Sequence, residues 1–232
     1  MRILDLGEMF GYPTAKILYP WHPTQVEVKS LNEADKVLPM VDLVMFGGGQ
    51  DIHTSFYKHS NVASQCGRRP SKRDLFEREI FFMCKELKIP MLGICRGAQF
   101  LCAMSGGALI QDCLNHSISS YHPILTSSGV KMLMTSTHHQ MMYPFETHHE
   151  LIAWAEDLSH GRFEYDHHSM CLKLNHEGVL EKEPEIVYFP DTNALAVQGH
   201  PEYFQDVYAP PVQFVRDLIS NRLFKEERNN RG

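Results

Sequence analysis

The sequence predicts an α/β fold: a central, mostly parallel sheet with helices on both faces and added antiparallel strands. Asp42-Leu43-Val44-Met45-Phe46 and Pro90-Met91-Leu92-Gly93-Ile94 are short continuous apolar runs, the pattern of parallel strands covered on both faces. Between them, residues 71–88 place Phe76, Ile80, Met83 and Leu87 at i, i+4, i+7 and i+11, one face of an amphipathic helix. Beyond Ala108 the signals become short strands and turns (131–135, 151–155, 186–189). These read as hairpins joined to the sheet, which makes it mixed.

Taken in order, residues 1–6 form a first strand, followed by a loop rich in Gly, Tyr and Pro that ends near Trp21-His22-Pro23. A second strand is expected at 25–29 and a short helix at 32–38. The run at 42–46 empties into Gly47-Gly48-Gly49-Gln50-Asp51. Ser71, with Asp74 three residues on, caps the long helix, and Pro90 separates it from the next strand. A helix over 98–104 is closed by Gly106-Gly107. A strand at 193–198 precedes a last helix opened by Pro210-Pro211, with Val212, Val215, Ile219 and Leu223 as its apolar stripe. The polar tail, 225–232, is expected to fray. No linker or repeat divides the chain, so residues 1–232 are read as one domain.

Composition narrows the class. At 43% hydrophobic and 22% charged residues, the chain is that of an ordinary globular protein. A net charge of −6, with basic residues clustered only at Arg68-Arg69 and Lys72-Arg73, argues against a nucleic-acid partner. No apolar run approaches membrane-spanning length, and Met1-Arg2-Ile3-Leu4-Asp5 lacks a signal-peptide pattern. The six cysteines are scattered without a C-x-x-C pair, which fits free thiols in a reducing compartment; the expected location is cytosolic.

The chemistry concentrates at Gly93-Ile94-Cys95-Arg96-Gly97. Strand, sharp turn and helix, with a nucleophile-type residue at the turn and Gly two residues either side, is the grammar of a nucleophile elbow written with Cys. A Cβ at either glycine would collide where strand and helix approach. The helix start points free N–H groups and the positive end of its dipole at the sulfur. The competing reading is a small core cysteine beside a tight turn. Downstream, the strand at 193–198 runs into Gly199-His200-Pro201-Glu202. Strand side chains repeat every two residues, so His200 and Glu202 are able to point the same way. His200 would take the thiol proton and Glu202 would orient the imidazole.

Gly93-Ile94-Cys95-Arg96-Gly97-Ala98-Gln99 and His200-Pro201-Glu202 resemble the nucleophile motif and the His-Pro-Glu signature of the class I glutamine amidotransferase superfamily. The resemblance runs from the strand before Gly47 to Glu202. Cys95-Arg96-Gly97 with Gly106-Gly107-Ala108-Leu109-Ile110-Gln111-Asp112 is most similar to the stand-alone γ-glutamyl hydrolases that cleave γ-glutamyl-γ-aminobutyrate. The resemblance implies a flavodoxin-like fold, a Cys95-His200-Glu202 triad and an oxyanion hole from the N–H groups of Gly48 and Arg96. Gly49, Gln99 and His138 are the implied substrate contacts. His138 enters through Ser136-Thr137-His138-His139-Gln140, similar to a segment that holds the glutamine α-amino and α-carboxylate groups. Read alone, the triple glycine matches no phosphate-loop pattern, and Ser136–Gln140 reads equally as a polar strand end.

Fourteen histidines include doublets at 138–139, 148–149 and 167–168. Adjacent strand residues point to opposite faces and no H-x-x-x-H pattern occurs, so no metal site is expected. The implied reaction needs no cofactor. It is hydrolysis of a γ-glutamyl amide through a γ-glutamyl thioester, on glutamine or a γ-glutamyl conjugate. Two alternatives stand beside it: a glutaminase subunit feeding ammonia to a partner synthetase, and a non-catalytic binding module of the same fold. Gly199 departs from the family, where the residue before the catalytic His is bulky and often aromatic. That departure leads us to expect a pocket opened on the leaving-group side.

Overall fold

The computed structural model describes residues 1–11, 14–176, 178 and 180–224. Tyr12 and Pro13 of the first loop, and the tail 225–232 expected to fray, lie outside the described residues. In chain order the elements are β1 (Arg2–Asp5), α1 (Leu6–Met9), β2 (Thr24–Gln25), α2 (Leu31–Val37), β3 (Leu43–Phe46), α3 (Lys72–Leu87), β4 (Met91–Ile94) and α4 (Arg96–Met104). There follow β5 (Ala108–Ile110), β6 (Asp112–Cys113), β7 (Ser120–Thr126), β8 (Lys131–Ser136), β9 (Met141–Tyr143), β10 (Glu150–Ala155), β11 (Phe163–Glu164), β12 (Glu183–Phe189), β13 (Ala194–Val197) and α5 (Pro210–Leu218).

Nine strands form one sheet in the order β2-β1-β3-β4-β13-β12-β10-β7-β8. From β2 to β13 all pairings are parallel; from β13 to β8 all are antiparallel. The parallel half has the burial its apolar runs demand. Along β3, Val44 and Phe46 enter one hydrophobic layer while Leu43 and Met45 enter the other. Along β13, Ala194 and Ala196 face the first layer, and Leu195 and Val197 the second. The period of two thus divides each strand between the two faces of the sheet. Elements α3 and α4 contribute Ile80, Phe81 and Phe100 to the first layer, and α5 contributes Val215 to the second.

Two expectations need correction. The second strand is only Thr24–Gln25, paired with β1 through Arg2 and Ile3. Of the expected stripe on α3, Ile80 is buried and Phe76 and Met83 pack half-buried against the core, but Leu87 is exposed. Hydropathy missed the rest of the inner face, Asp74, Glu77, Phe81 and Cys84, in part because two of these are carboxylates buried against arginines (below). The expected cap is present in full: Ser71 Oγ accepts from the Asp74 N–H at 3.0 Å, and Asp74 Oδ2 accepts from the Ser71 N–H at 2.8 Å.

Candidate active site

Cys95 sits at the carboxyl end of β4, beside the carboxyl end of β13, where ligands of open α/β sheets bind. Its φ of 53° and ψ of −109° are a strained conformation for a residue with a Cβ. Two close approaches hold it there. A Cβ at Gly93 would fall 2.4 Å from the Gly97 carbonyl oxygen, and one at Gly97 would fall 1.9 Å from the Phe46 oxygen. Both distances are impossible contacts, so glycine is required at each place and the elbow packs directly on β3. The Cys95 N–H donates to Val197 O at 2.8 Å, which ties the elbow to the strand that leads to His200. A methyl group at position 48 would lie 3.2 Å from His200 Cε1 and 4.0 Å from Cys95 Cβ. Gly48 therefore lines the same few ångströms of space.

His200 Nδ1 meets Glu202 Oε1 at 2.7 Å, both residues buried. The Tyr203 ring stacks on the imidazole, centroids 4.3 Å apart and planes 6° from parallel. The His200 N–H donates to Thr135 Oγ1 on β8 at 2.6 Å. Burial opposes protonation of His200, but hydrogen bonds and negative charge at Cys95 and Glu202 outweigh it and raise its pKa to about 10. The imidazole thus pairs with the Glu202 carboxylate and responds to the Cys95 sulfur. By contrast, burial pushes the Cys84 and Cys102 thiols up to about 12, and the Cys113 thiol upward as well. Those three are poor nucleophiles.

The glycine loop is oriented by residues that motif reading missed. Arg73 donates from Nη2 to Gly47 O at 2.9 Å and from Nη1 to Gly48 O at 2.8 Å. In a trans peptide the N–H points opposite to its carbonyl. Pinning these two oxygens on Arg73 therefore turns the Gly48 and Gly49 N–H groups away from it. Arg73 Nε binds Glu77 Oε1 at 2.8 Å. Glu77 Oε2 accepts from Arg96 Nη1, Arg96 Nη2 binds Asp74 Oδ1, and Arg96 Nε donates to Gln50 O at 3.2 Å. One carboxylate on α3 so couples the Gly48 loop to the residue after the nucleophile. The only sequence trace of this brace is the i, i+4 spacing of Arg73 and Glu77, which also marks countless surface pairs.

The substrate contacts fare unevenly. Gln99 lies on α4 one turn after Cys95, and its Nε2 donates to Gln140 O at 3.1 Å. Gly49 adopts a φ of 141° in the loop beside Gly48. The His138 side chain is corrected. It is buried, its Nδ1 meets Gln140 O at 2.8 Å, and its Nε2 turns to Glu185 Oε1 at 3.5 Å. Both ring nitrogens are directed into the protein, which leaves neither for a substrate. The Gly199 expectation is also overturned. A Cβ there would fall 2.3 Å from Met134 Cγ and 2.7 Å from Thr135 O. The missing side chain lets β8 approach; it does not open a pocket.

Histidines also gather where the doublet argument did not look. His116, His122 and His138 meet Glu185, all four buried, with one potential ligand atom each within 4.8 Å of the others. They come from four separate segments, so no spacing in the sequence announces them.

A family model described as Peptidase C26 matches residues 23–170, more than half of the chain and including Cys95. A gamma-glutamyl-CDP-amidate hydrolase of Campylobacter jejuni is 36% identical over 113 residues, 49% of this chain and 49% of that protein. A glutamine amidotransferase-like protein of Lactococcus lactis, the YvdE homolog, is 35% identical over 112 residues, 48% of this chain and 52% of that protein. The chain spans about half the length of these curated relatives. Among solved structures, a glutamine amidotransferase of Thermotoga maritima superposes with a TM-score of 0.52 at 14% identity, covering 100% of this chain and 92% of that one. The glutaminase domain of Trypanosoma brucei CTPS, with bound acivicin, gives 0.56 at 12% identity, covering 94% and 92%. These structures share the fold that the resemblance implied, a mixed sheet with helices on both sides. An elbow of this geometry inside the matched region leads to one assignment: the chain belongs to the peptidase C26 family.

Proposed function

We propose that this chain is a cysteine hydrolase of γ-glutamyl amides, acting as a single domain on a small-molecule substrate in the cytoplasm and without a cofactor. The observation that carries the reading is the His200–Glu202 pair converging with Cys95 on the space beside Gly48. In the first half-reaction Cys95 Sγ attacks the γ-carbonyl carbon, and the carbonyl π electrons move to oxygen. The Gly48 and Arg96 N–H groups receive that oxyanion. As the tetrahedral intermediate collapses, the C–N bond breaks and His200 gives its proton to the leaving amine. Water then attacks the thioester while His200 takes its proton, releasing glutamate and restoring the thiol–imidazole pair. Glu202 holds the imidazole through Nδ1, and Gly49 and Gln99 are the proposed substrate contacts. The names of the similar Campylobacter and Lactococcus proteins support this class. Among the described residues no helix is long and apolar enough to cross a membrane.

The test is hydrolysis by the purified chain alone, with glutamine set against a panel of γ-glutamyl amines and amidates. Cys95→Ala and His200→Ala should each lower kcat/KM by at least about a thousandfold, with Glu202→Gln milder, because members of one catalytic unit fail together. A glutamine-like electrophile should label Cys95 before Cys66 or Cys171. Near-normal turnover by Cys95→Ala would end the thiol mechanism. Hydrolysis of glutamine alone, and only with a co-purifying synthetase, would favour the ammonia-supplying subunit.

A further inference from the structure

We infer that His116, His122, His138 and Glu185 form a tetrahedral binding site for a divalent cation, zinc by the chemistry of its donors, distinct from the Cys95 centre. The four side chains are fully or almost fully buried where β7, β8 and β12 meet the loop after β6. His116 Nδ1, His122 Nε2 and His138 Nε2 lie 3.3, 3.2 and 3.5 Å from Glu185 Oε1. None of these nitrogens, and neither Glu185 oxygen, has a hydrogen-bond partner. Five buried polar atoms turned toward one another and unsatisfied are costly unless something sits between them.

The opposite side of each ring says what that is. His116 Nε2 meets Glu183 Oε2 at 2.7 Å, His122 Nδ1 meets Pro123 O at 3.2 Å, and His138 Nδ1 meets Gln140 O at 2.8 Å. Each outer nitrogen faces an acceptor and so carries a proton; in the neutral ring that leaves a lone pair on the inner nitrogen. A histidine that donates outward to a carboxylate or carbonyl and offers its other nitrogen inward has the arrangement of a metal ligand. Three of the six separations agree. Zinc–ligand bonds of about 2.0–2.2 Å give a tetrahedron with edges of about 3.3–3.6 Å, close to the three distances from Glu185 Oε1. Charge agrees as well. Glu183 and Glu185 are both fully buried, and among the described residues their ion-pair partners are histidines. One divalent cation with three neutral imidazoles neutralises the two carboxylates. Three nitrogens and one oxygen in a buried tetrahedron favour zinc over magnesium or calcium. With all four positions filled by protein, the ion would be structural. It would clamp β7 and β12 to the end of β8, the strand whose Thr135 receives the His200 N–H.

The measurement is metal content of the full chain by plasma mass spectrometry after dialysis against zinc. About one tightly held equivalent is expected in the unmodified chain and in Cys95→Ala, which removes the other thiol–imidazole site. Glu185→Gln, which keeps shape and loses charge, should retain at least about tenfold less. If that variant does not fold, cobalt(II) loaded into the unmodified chain reads the site directly. An intense visible band of tetrahedral cobalt is expected, displaced by zinc and unchanged in Cys95→Ala. The inference is overturned if the unmodified chain, given excess zinc or cobalt at neutral pH, holds no equivalent and shows no band. It is equally overturned if folded Glu185→Gln holds as much zinc as the parent.

Discussion

Two regions of this molecule bury pairs of carboxylates and resolve them in opposite ways. On α3, Asp74 and Glu77 are met by Arg96 and Arg73, whose forked donors also reach the carbonyls of Gly47, Gly48 and Gln50. In the antiparallel half, Glu183 and Glu185 are met by imidazoles, and the inner atoms of that cluster stay unsatisfied. Guanidinium is charged at every accessible pH and brings several donors in a fixed plane, so the first region is complete as it stands. Imidazole is charged only conditionally, so the second is complete only with a proton or a metal. Each region grips one wall of the candidate site: the first holds the glycine loop and the elbow, the second the strand that carries Thr135.

The first region should break hardest. Glu77→Ala leaves the buried Arg96 and the half-buried Arg73 with one partner fewer each, and should cost about 3–5 kcal/mol of stability, read by chemical denaturation. A loss below about 1 kcal/mol would mean that these ion pairs do not hold the loop. Arg73→Lys keeps the charge but loses the fork on Gly47 O and Gly48 O. It should lower kcat about 10- to 100-fold with KM little changed, since a misaimed oxyanion donor is felt only in the transition state. A change confined to KM would place Arg73 in substrate binding instead.

His200 offers a titrating contrast with the fixed guanidinium charges. Its folded pKa is raised to about 10, above the ordinary 6.5, so the stability it contributes is complete below about 6.5 and lost as pH rises through about 10. The imidazolium needed to protonate a leaving amine is lost over the same limb. Accordingly kcat/KM should fall near pH 10, and Glu202→Gln should move that fall to lower pH by removing one of the groups that raise it. A limb unmoved by Glu202→Gln would break the link between the two residues.

The smallest effect tests the packing between the halves. Gly199→Ala must displace Met134, whose Cγ would lie 2.3 Å from the new Cβ, and push against Thr135 O. A loss of about 1–3 kcal/mol is expected from overpacking. If bulky γ-glutamyl substrates alone lost activity, with stability unchanged, position 199 would face the pocket after all.

The sequence by itself determined the parallel core, the elbow and the pairing of His200 with Glu202. Continuous apolar runs, Gly at two places where no Cβ fits, and His-x-Glu at a strand end are local patterns with local physical causes. Their meaning does not depend on what lies elsewhere in the chain. The tertiary structure decided everything that rests on long-range pairing of polar groups. Nothing in the local pattern marks Glu77 as buried; it is enclosed between two arginines only because α3 packs against the elbow. Gly199 looked like an empty pocket wall until β8 filled the space, and His138 like a substrate ligand until its ring turned inward to Glu185. Buried charge inverts the hydropathy signal, and convergence from four segments leaves no spacing to read. Where a polar side chain goes inside a protein is set by its partners, and those are chosen only when the chain has folded.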